Sequence, residues 1–436
     1  RQMCIRDSCV TPPPVKLKRS VVLDMSYEFP CGCLPIPAAG PLPEYAGCFF
    51  ERSTITGDWG GARTDLARRG LTTGLWLTHV TQGLLSGGVP SALAGGQGDW
   101  ATLARGTFVL DVDTERAGLW RGGRFFFRGQ GRVGEALLER AGSLVNSVAV
   151  APLPDPDIDI LAVASLFYRQ WLTGQFSVHV GLLDMLDRDL NAFAWGDGAE
   201  NFLNFSLTVS QMYTFVMPPT PLGAKVTYLP TGDPKDIAIK LTVASHSDMA
   251  TLAEAPEGVF AHGEVGFGYT LGGLPGRHKV GATYGWNPAY EKLDRKFPHL
   301  LPGTLDPEKA GTWSVDYNWW QYVDTYAGTE RKGWGPFFRF GASDGNPNPY
   351  QLSLSGGIGG DAPWRRQDGF GVGGFWTKVS DASATRLLDD EYGFEAFYRI
   401  GVTPWLHVTF DIQAVNSALP EAATPSLIGI RTRWRF

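Results

Sequence analysis

The stretch Ile428-Gly-Ile-Arg-Thr-Arg-Trp-Arg-Phe436 separates into two chemically different faces. Side chains alternate from one side of a strand to the other. One face therefore carries Ile428, Ile430, Thr432, Trp434 and Phe436, and the other carries Arg431, Arg433 and Arg435. Three charged side chains in a row do not fit a packed apolar core. The pattern predicts a barrel wall with lipid outside and water inside.

The composition fits a membrane barrel and argues against some other classes. The chain has 436 residues, 43% of them hydrophobic and 12% aromatic, with 55 glycines. No apolar run reaches the roughly 18 residues that a transmembrane helix needs, whereas barrel strands need only about ten alternating residues. The net charge is −6 and basic residues are scattered, so no nucleic-acid partner is expected.

The first residues differ from the rest of the chain. All five cysteines lie there, at Cys4, Cys9, Cys31, Cys33 and Cys48, which excludes a disulfide framework for the main domain. Cys31 and Cys33 have no further ligands at the spacing of a zinc site. A basic stretch at 16–19 is followed by an apolar run too short for a signal peptide. We expect residues 1–47 to be a disordered or non-native segment, and we expect no cofactor or metal.

The two-faced alternation recurs along the chain. In 405–415, Leu406, Val408 and Phe410 share one face, while His407 and Thr409 share the other. The predicted strands are 72–82, 103–115, 122–133, 159–169, 174–183, 223–229, 236–246, 258–270, 277–286, 312–326, 335–343, 350–360, 369–379, 389–400, 405–415 and 426–436. An even number of strands is typical of bacterial single-chain barrels. We therefore predict an all-β, transmembrane antiparallel barrel of about sixteen strands over residues 72–436.

The connections alternate in length. Those after even-numbered strands are short and turn-like, as at Gly118–Gly122 and Gly401–Pro404, and those after odd-numbered strands are mostly longer, as at Asp184–Gly223. Short periplasmic turns and long external loops are typical of outer-membrane barrels. Both termini are then periplasmic. A short helix over Gly60–Gly70, closed by Gly70 in a left-handed conformation, is expected in a periplasmic entry segment at 48–71.

Several motifs resemble those of the carbohydrate-selective porin family of Gram-negative outer membranes, the OprB-like glucose porins. The first is Thr56-Gly-Asp-Trp-Gly-Gly-Ala-Arg63, just ahead of the first strand. Others are Trp319-Trp-Gln-Tyr-Val323, Phe338-Arg-Phe-Gly-Ala342 and Tyr398-Arg-Ile-Gly-Val-Thr-Pro-Trp405. The resemblance covers about residues 48–436. It implies a sixteen-stranded porin of the cell outer membrane that passes monosaccharides such as glucose by diffusion, with small sugars and membrane lipid as partners.

The long segment Asp184–Pro221 is the candidate for a loop that folds inward and narrows the lumen, because sixteen strands leave an aqueous channel. Aromatic and charged residues are mixed in it: Phe193, Trp195, Phe202, Phe205, Asp187, Arg188, Asp189, Asp197 and Glu200. Aromatic faces stack on a pyranose, and charged groups bind its hydroxyls. The alternative is that the aromatic residues only hold the loop against the wall.

Inward-facing arginines are the other candidate sugar contacts. Arg124, Arg128 and Arg132 form a ladder on the third strand, and Arg128 near its middle is the leading candidate. The alternative is a lumenal salt network with Asp111, Asp113 or Glu264, which we favour for Arg124 and Arg132. Arg339 and Arg399 have the same two interpretations. Arg433 and Arg435 are interpreted as charges at the periplasmic rim.

Other signals point elsewhere and are set aside. Gly369-Phe-Gly-Val-Gly-Gly374 has the spacing of a dinucleotide fingerprint, but a strand pattern follows it instead of a helix. Asp155, Asp157 and Asp159 suit calcium, but a solvated acidic loop is the favoured interpretation. The histidines are dispersed, so no catalytic triad is indicated. The alternatives to a sugar porin are a general solute or ion porin of the same fold and, less favoured, a barrel enzyme.

Overall fold

The computed structural model describes residues 40–150, 160–186, 190–247, 250, 252, 255–291, 293, 308–326, 332–382, 388–419 and 422–436. Asp155, Asp157, Asp159, Asp187, Arg188 and Asp189, which the sequence singled out, lie outside these residues, as do 1–39. No helix within the described ranges is long and apolar enough to span a bilayer.

Sixteen long strands form one antiparallel sheet. They are β1 Leu71–Gly88, β2 Trp100–Asp113, β3 Gly123–Gly134, β4 Ile160–Trp171, β5 Phe176–Leu182, β6 Leu222–Tyr228, β7 Ile237–Ser245, β8 Val259–Leu271, β9 Leu274–Glu291, β10 Glu308–Gln321, β11 Gly333–Ser343, β12 Tyr350–Asp361, β13 Gly369–Val379, β14 Glu391–Thr403, β15 Leu406–Asn416 and β16 Ala423–Arg435. Each strand pairs with its neighbours in sequence, and β1 also pairs with β16. The sheet is therefore a closed barrel, as predicted.

The register places the two faces as the alternation indicated. On β16, Ile430 is 46% exposed on the outer surface, whereas the adjacent Arg431 is 1% exposed. Large apolar side chains on the outside include Val265, Phe267, Val280, Phe338, Phe394, Phe410 and Ile412. A shift by one residue would exchange the two faces, so the charged inner face fixes the register.

Some strand ends differ from the sequence prediction. The strand predicted at 277–286 is longer at both ends in the structure. It starts earlier because the turn that precedes it consists only of Gly272 and Gly273, with φ of 60° and 79°. Two glycines with positive φ form the tight hairpin turn that suits the twist of antiparallel strands. The strand predicted at 312–326 begins earlier, at Glu308, and ends at Gln321. Beyond it, the short segment Asp324–Thr325 pairs with β11.

The predicted N-terminal helix is present as a 3₁₀ turn, Trp59–Gly61, followed by α1, Ala62–Arg68. Gly70 follows with a φ of +85°, the left-handed conformation that was expected for the residue closing the helix. Arg63 in α1 is buried, lies 4.2 Å from the Tyr45 ring and donates hydrogen bonds to the carbonyls of Thr73 (2.9 Å) and Phe436 (3.1 Å). Burial lowers the pKa of Arg63, and the neighbouring Tyr45 opposes part of this effect by raising the pKa. The helix thereby packs at the seam between β1 and β16.

Candidate functional site

The long connection between β5 and β6, residues 183–221, folds against the inner face of the barrel; we call it the inner loop. Phe193 and Phe202 are almost fully buried in a cluster with Phe337 and Phe397, which point inward from β11 and β14. The ring of Phe202 lies 5.0 Å from that of Phe397. These two loop aromatics therefore hold the loop against the wall, which was the alternative interpretation, while Trp195 stays partly exposed.

Arginines of the last strand hold the middle of the inner loop. Arg431 donates to the carbonyls of Gly198 and Asn201, the latter at 2.8 Å. The Glu200 carboxylate lies 2.8 Å from the guanidinium of Arg433 and 3.5 Å from that of Arg435. Arg433 and Arg435 are mostly buried, at 18% and 13% side-chain exposure. They are therefore partners of the inner loop, a contact that the sequence did not predict, and their position at the periplasmic rim stays a prediction.

The charge state of Glu200 follows from this environment. Burial alone would raise the pKa of Glu200, but Arg433, Arg435 and Arg399 outweigh burial and hold it well below its ordinary value. Asp197 behaves in the same way: burial would raise its pKa, but Arg105 on β2, which forms an ion pair with it, together with Arg433 and Arg128 outweighs burial and lowers the pKa. Both carboxylates are ionised at neutral pH and act as charged anchors.

Further contacts hold the start of the inner loop and the part between 194 and 207. Asp184, at its start, forms an ion pair with Arg128. Arg339 is buried and donates to the carbonyl oxygens of Ala194 and Leu207, the latter at 2.9 Å. The Glu395 carboxylate accepts hydrogen bonds from the backbone amides of Leu203 (2.6 Å) and Asn204 (2.7 Å). The loop is thus held by β14, β16, β2 and β3, which lie on one side of the barrel, and by β11, which lies across the barrel from β3.

The connection between β3 and β4 also reaches inward, which the sequence did not predict. Glu391 on β14 accepts hydrogen bonds from the amides of Leu144 (2.6 Å) and Val145 (3.3 Å). Gln413 donates to the Ser147 carbonyl at 2.9 Å. The signal that points to such contacts is the inward Glu391 itself, since a buried carboxylate requires hydrogen-bond donors.

The six candidate sugar-contact residues occupy different places. Arg124 pairs with Asp111, with 2.7 Å between Nε and Oδ1, as the salt-network alternative expected. Arg128 pairs with Asp184. Arg132 is buried and lies directly opposite Arg105 in the sheet. Asp113 accepts instead from the amide of Arg116 (2.9 Å).

The remaining candidates lie around the inner loop or on another wall. Glu264 on β8 lies 3.2 Å from Lys279 and 3.5 Å from Lys240. It therefore has lysine partners in place of the arginine partners proposed from sequence. Trp195 is part of the inner loop and Arg339 contacts it, and Glu264 lies on β8. Arg105 was not among the contact residues predicted from sequence. The period of two places it on the same face of β2 as the inward Asp111, which would have marked it as lumenal.

Comparisons with known proteins bear on the whole barrel. The family model "Carbohydrate-selective porin, OprB family" matches residues 97–436. The high-pH structure of Pseudomonas putida OprB is similar, with a TM-score of 0.77 at 20% identity, covering 89% of this chain and 100% of that one. The low-pH structure of the same protein has a TM-score of 0.55 at 16% identity, covering 88% of this chain and 99% of that one.

A more distant structure shares the architecture. The outer-membrane channel DcaP of Acinetobacter baumannii gives a TM-score of 0.51 at 8% identity, covering 84% of this chain and 97% of that one. No curated protein matches the chain. The structural similarities show the barrel fold, and the fold and the family model together indicate a channel. This chain belongs to the carbohydrate-selective porin family, OprB.

Proposed function

We propose that the chain is an outer-membrane porin through which monosaccharides such as glucose diffuse. The inner loop supports this most directly, because guanidinium groups on opposite sides of the barrel hold it across the lumen: Arg128 on β3 pairs with Asp184, and Arg339 on β11 donates to the Leu207 carbonyl. A loop held in this way narrows the aqueous channel of a sixteen-stranded barrel to a size at which small solutes touch its walls.

The outer surface supports the location. Exposed apolar side chains follow the outward positions of the strands, and tryptophan and tyrosine lie near strand ends, as at Trp120 with Tyr168 and Trp364 with Tyr398. An apolar band flanked by aromatic residues suits a bilayer. We propose the cell outer membrane of a Gram-negative bacterium, with its lipid as the contacting partner.

Sugar contacts are proposed at Arg124, Arg128, Arg132, Trp195, Glu264 and Arg339. Arg128 is the leading member, because a guanidinium paired with the loop residue Asp184 lies where wall and loop meet. Trp195 is proposed to stack on the sugar ring, since its side chain stays partly exposed while Phe193 and Ala194 before it are buried.

Conductance in planar bilayers tests the proposal. The full chain is expected to form discrete channels whose current falls as glucose is added at millimolar concentration. A stable current that glucose leaves unchanged would favour a general solute or ion porin. Absence of any conductance by the correctly folded barrel would overturn both channel functions.

A further inference from the structure

Aromatic side chains continue from the outer wall of the barrel onto the segment that precedes β1. Trp434 lies near the C-terminal end of β16, on the same outward face as the exposed Ile430. The ring of Trp405, in the turn between β14 and β15, stacks on that of Trp434, with 6.1 Å between the ring centroids. Phe49 lies 4.9 Å from Trp405, and Phe50 lies 5.2 Å from Phe49. These four rings, which we call the aromatic row, connect the outer wall to the N-terminal segment.

The aromatic row becomes more exposed along its length. Trp405 is 6% exposed, Phe49 is 44% exposed and Phe50 is 71% exposed. An exposed apolar patch rimmed by polar residues marks a contact with another protein or with a membrane. Because this patch is continuous with the apolar outer wall of the barrel, the same partner, membrane lipid, fits both surfaces.

Hydrogen bonds hold this part of the segment against the barrel. Trp405 donates from its indole nitrogen to the Phe49 carbonyl at 2.8 Å, and the Ile55 amide donates to the Arg435 carbonyl at 2.8 Å. The guanidinium of Arg52 lies 4.9 Å from the centre of the Phe49 ring and donates to the Ile55 carbonyl. The two phenylalanines are therefore held beside the end of β16.

The charges of the segment do not favour a partner that binds by electrostatic attraction. Residues 40–71 contain four acidic and four basic residues, namely Glu44, Glu51, Asp58, Asp65, Arg52, Arg63, Arg68 and Arg69. Segments that bind anionic membranes by charge instead carry clusters of about four to eight basic residues. The aromatic rings are therefore the part of the segment that suits lipid, because aromatic side chains are favoured in the headgroup region.

We propose that Phe49 and Phe50 anchor the N-terminal segment in the lipid headgroup region, at the end of the barrel that carries the short turns. The inference goes beyond sugar diffusion and rests on the proposed membrane location. The two rings extend the aromatic belt of the barrel, and interfacial side chains of this kind insert by about 5–10 Å. The anchor holds the segment against β16, at the side of the channel exit.

A fluorescent label at position 50 tests the anchor. Phe50→Cys is labelled with an environment-sensitive dye in the full chain, with its five native cysteines replaced by serine. The barrel is reconstituted in phosphatidylcholine vesicles that contain a lipid with a quencher on its acyl chain near the headgroup. We expect a blue-shifted emission that the lipid quencher strongly reduces. Thr231→Cys is the matched control, because Thr231 is exposed in a turn at the same end of the barrel, and its label should be quenched little.

Two results at position 50 would overturn the anchor alone. One is emission equal to that of the label at position 231, which would place Phe50 in water. The other is a blue shift that the lipid quencher does not reduce, which would indicate a protein partner or a second copy of the chain. Ile430→Cys, on the outer wall, reports on the barrel itself. A label at position 430 that the quencher does not reach would overturn the proposed membrane location and the anchor with it.

Hydrogen exchange provides a test without a label. Phe50→Ser removes the most exposed ring and leaves the contact between Phe49 and Trp405 in place. Amide exchange in residues 47–57 should become several-fold faster in vesicles, because lipid holds the segment less firmly, whereas Phe50→Trp should keep it slow. Heat-dependent migration on gels confirms that each variant forms the barrel. Unchanged exchange in Phe50→Ser would contradict anchoring by this ring.

Discussion

The carboxylate of Glu200, in the middle of the inner loop, lies 2.8 Å from the guanidinium of Arg433 on the last strand. Arg435 approaches the same carboxylate at 3.5 Å, and Arg399 donates to the Glu200 backbone carbonyl at 3.1 Å. One loop residue thus joins two inward arginines of β16 and one of β14. This contact fixes how far the loop extends across the channel.

Glu200→Gln should loosen the inner loop. The substitution leaves Arg433 and Arg435 largely buried without their carboxylate, and breaking a buried ion pair costs about 3–5 kcal/mol. We expect a larger and noisier single-channel current and weaker glucose block. Glu115→Gln is the matched control, because Glu115 forms a loose, exposed pair with Arg121 at 3.8 Å. Unchanged current in Glu200→Gln would show that this contact does not set the loop position.

The lowered pKa of Glu200 predicts how the loop contact responds to acid. A carboxyl whose pKa is lower in the folded state stabilises that state fully above its ordinary value of 4.5. The stabilisation is lost as the pH falls through the lowered pKa. The difference in unfolding free energy between the unmodified chain and Glu200→Gln should therefore be constant above about pH 5 and shrink below about pH 4.5. Urea titrations at each pH measure it, and a difference that already shrinks between pH 6 and 7 would contradict the ionised contact.

Arg128→Ala should weaken glucose block while the barrel still assembles. A hydrogen bond to a charged group contributes about 1.5–3 kcal/mol, so the concentration for half-block should rise by about tenfold or more. Asp184→Asn separates direct contact from loop anchoring, since it breaks the same ion pair but keeps the guanidinium. Equal effects of the two variants would mean that Arg128 acts only by holding the loop. No effect of Arg128→Ala would remove it from the proposed contacts.

Ile430→Arg tests the orientation of the wall. Ile430 is exposed on the outer face near the middle of β16, and an arginine facing lipid near the bilayer centre costs about 2–4 kcal/mol. We expect a matching loss of folding free energy in lipid vesicles, while Ile430→Val should change it little. An arginine tolerated at this position would argue that the face does not contact lipid.

The sequence was sufficient for the barrel because alternation is a local signal. Ile430 and Arg431 already differ in chemistry, and neither requires a distant contact to be assigned to a face. The sixteen strands and the short helix just before Gly70 followed from local patterns of this kind. Strand ends were less predictable, because the turn at Gly272-Gly273 and the extension of β9 depend on pairing with β8.

The arrangement inside the barrel was harder to predict because it depends on long-range partners. Glu200 and Arg433 are far apart in sequence, and nothing in either neighbourhood specifies the other. For Arg124 the sequence suggested a salt network with Asp111, Asp113 or Glu264, and the structure pairs it with Asp111 on the adjacent strand. Glu264 was expected near arginines but has Lys240 and Lys279 as partners, because the β7–β8 and β8–β9 registers place them beside it.

Glucose titration of single-channel current in planar bilayers tests the central claim most directly. The account predicts that the reconstituted chain forms discrete channels whose current decreases with millimolar glucose, and that Glu200→Gln weakens this decrease. Channels whose current is insensitive to glucose in the unmodified chain would contradict a sugar-selective constriction formed by the inner loop.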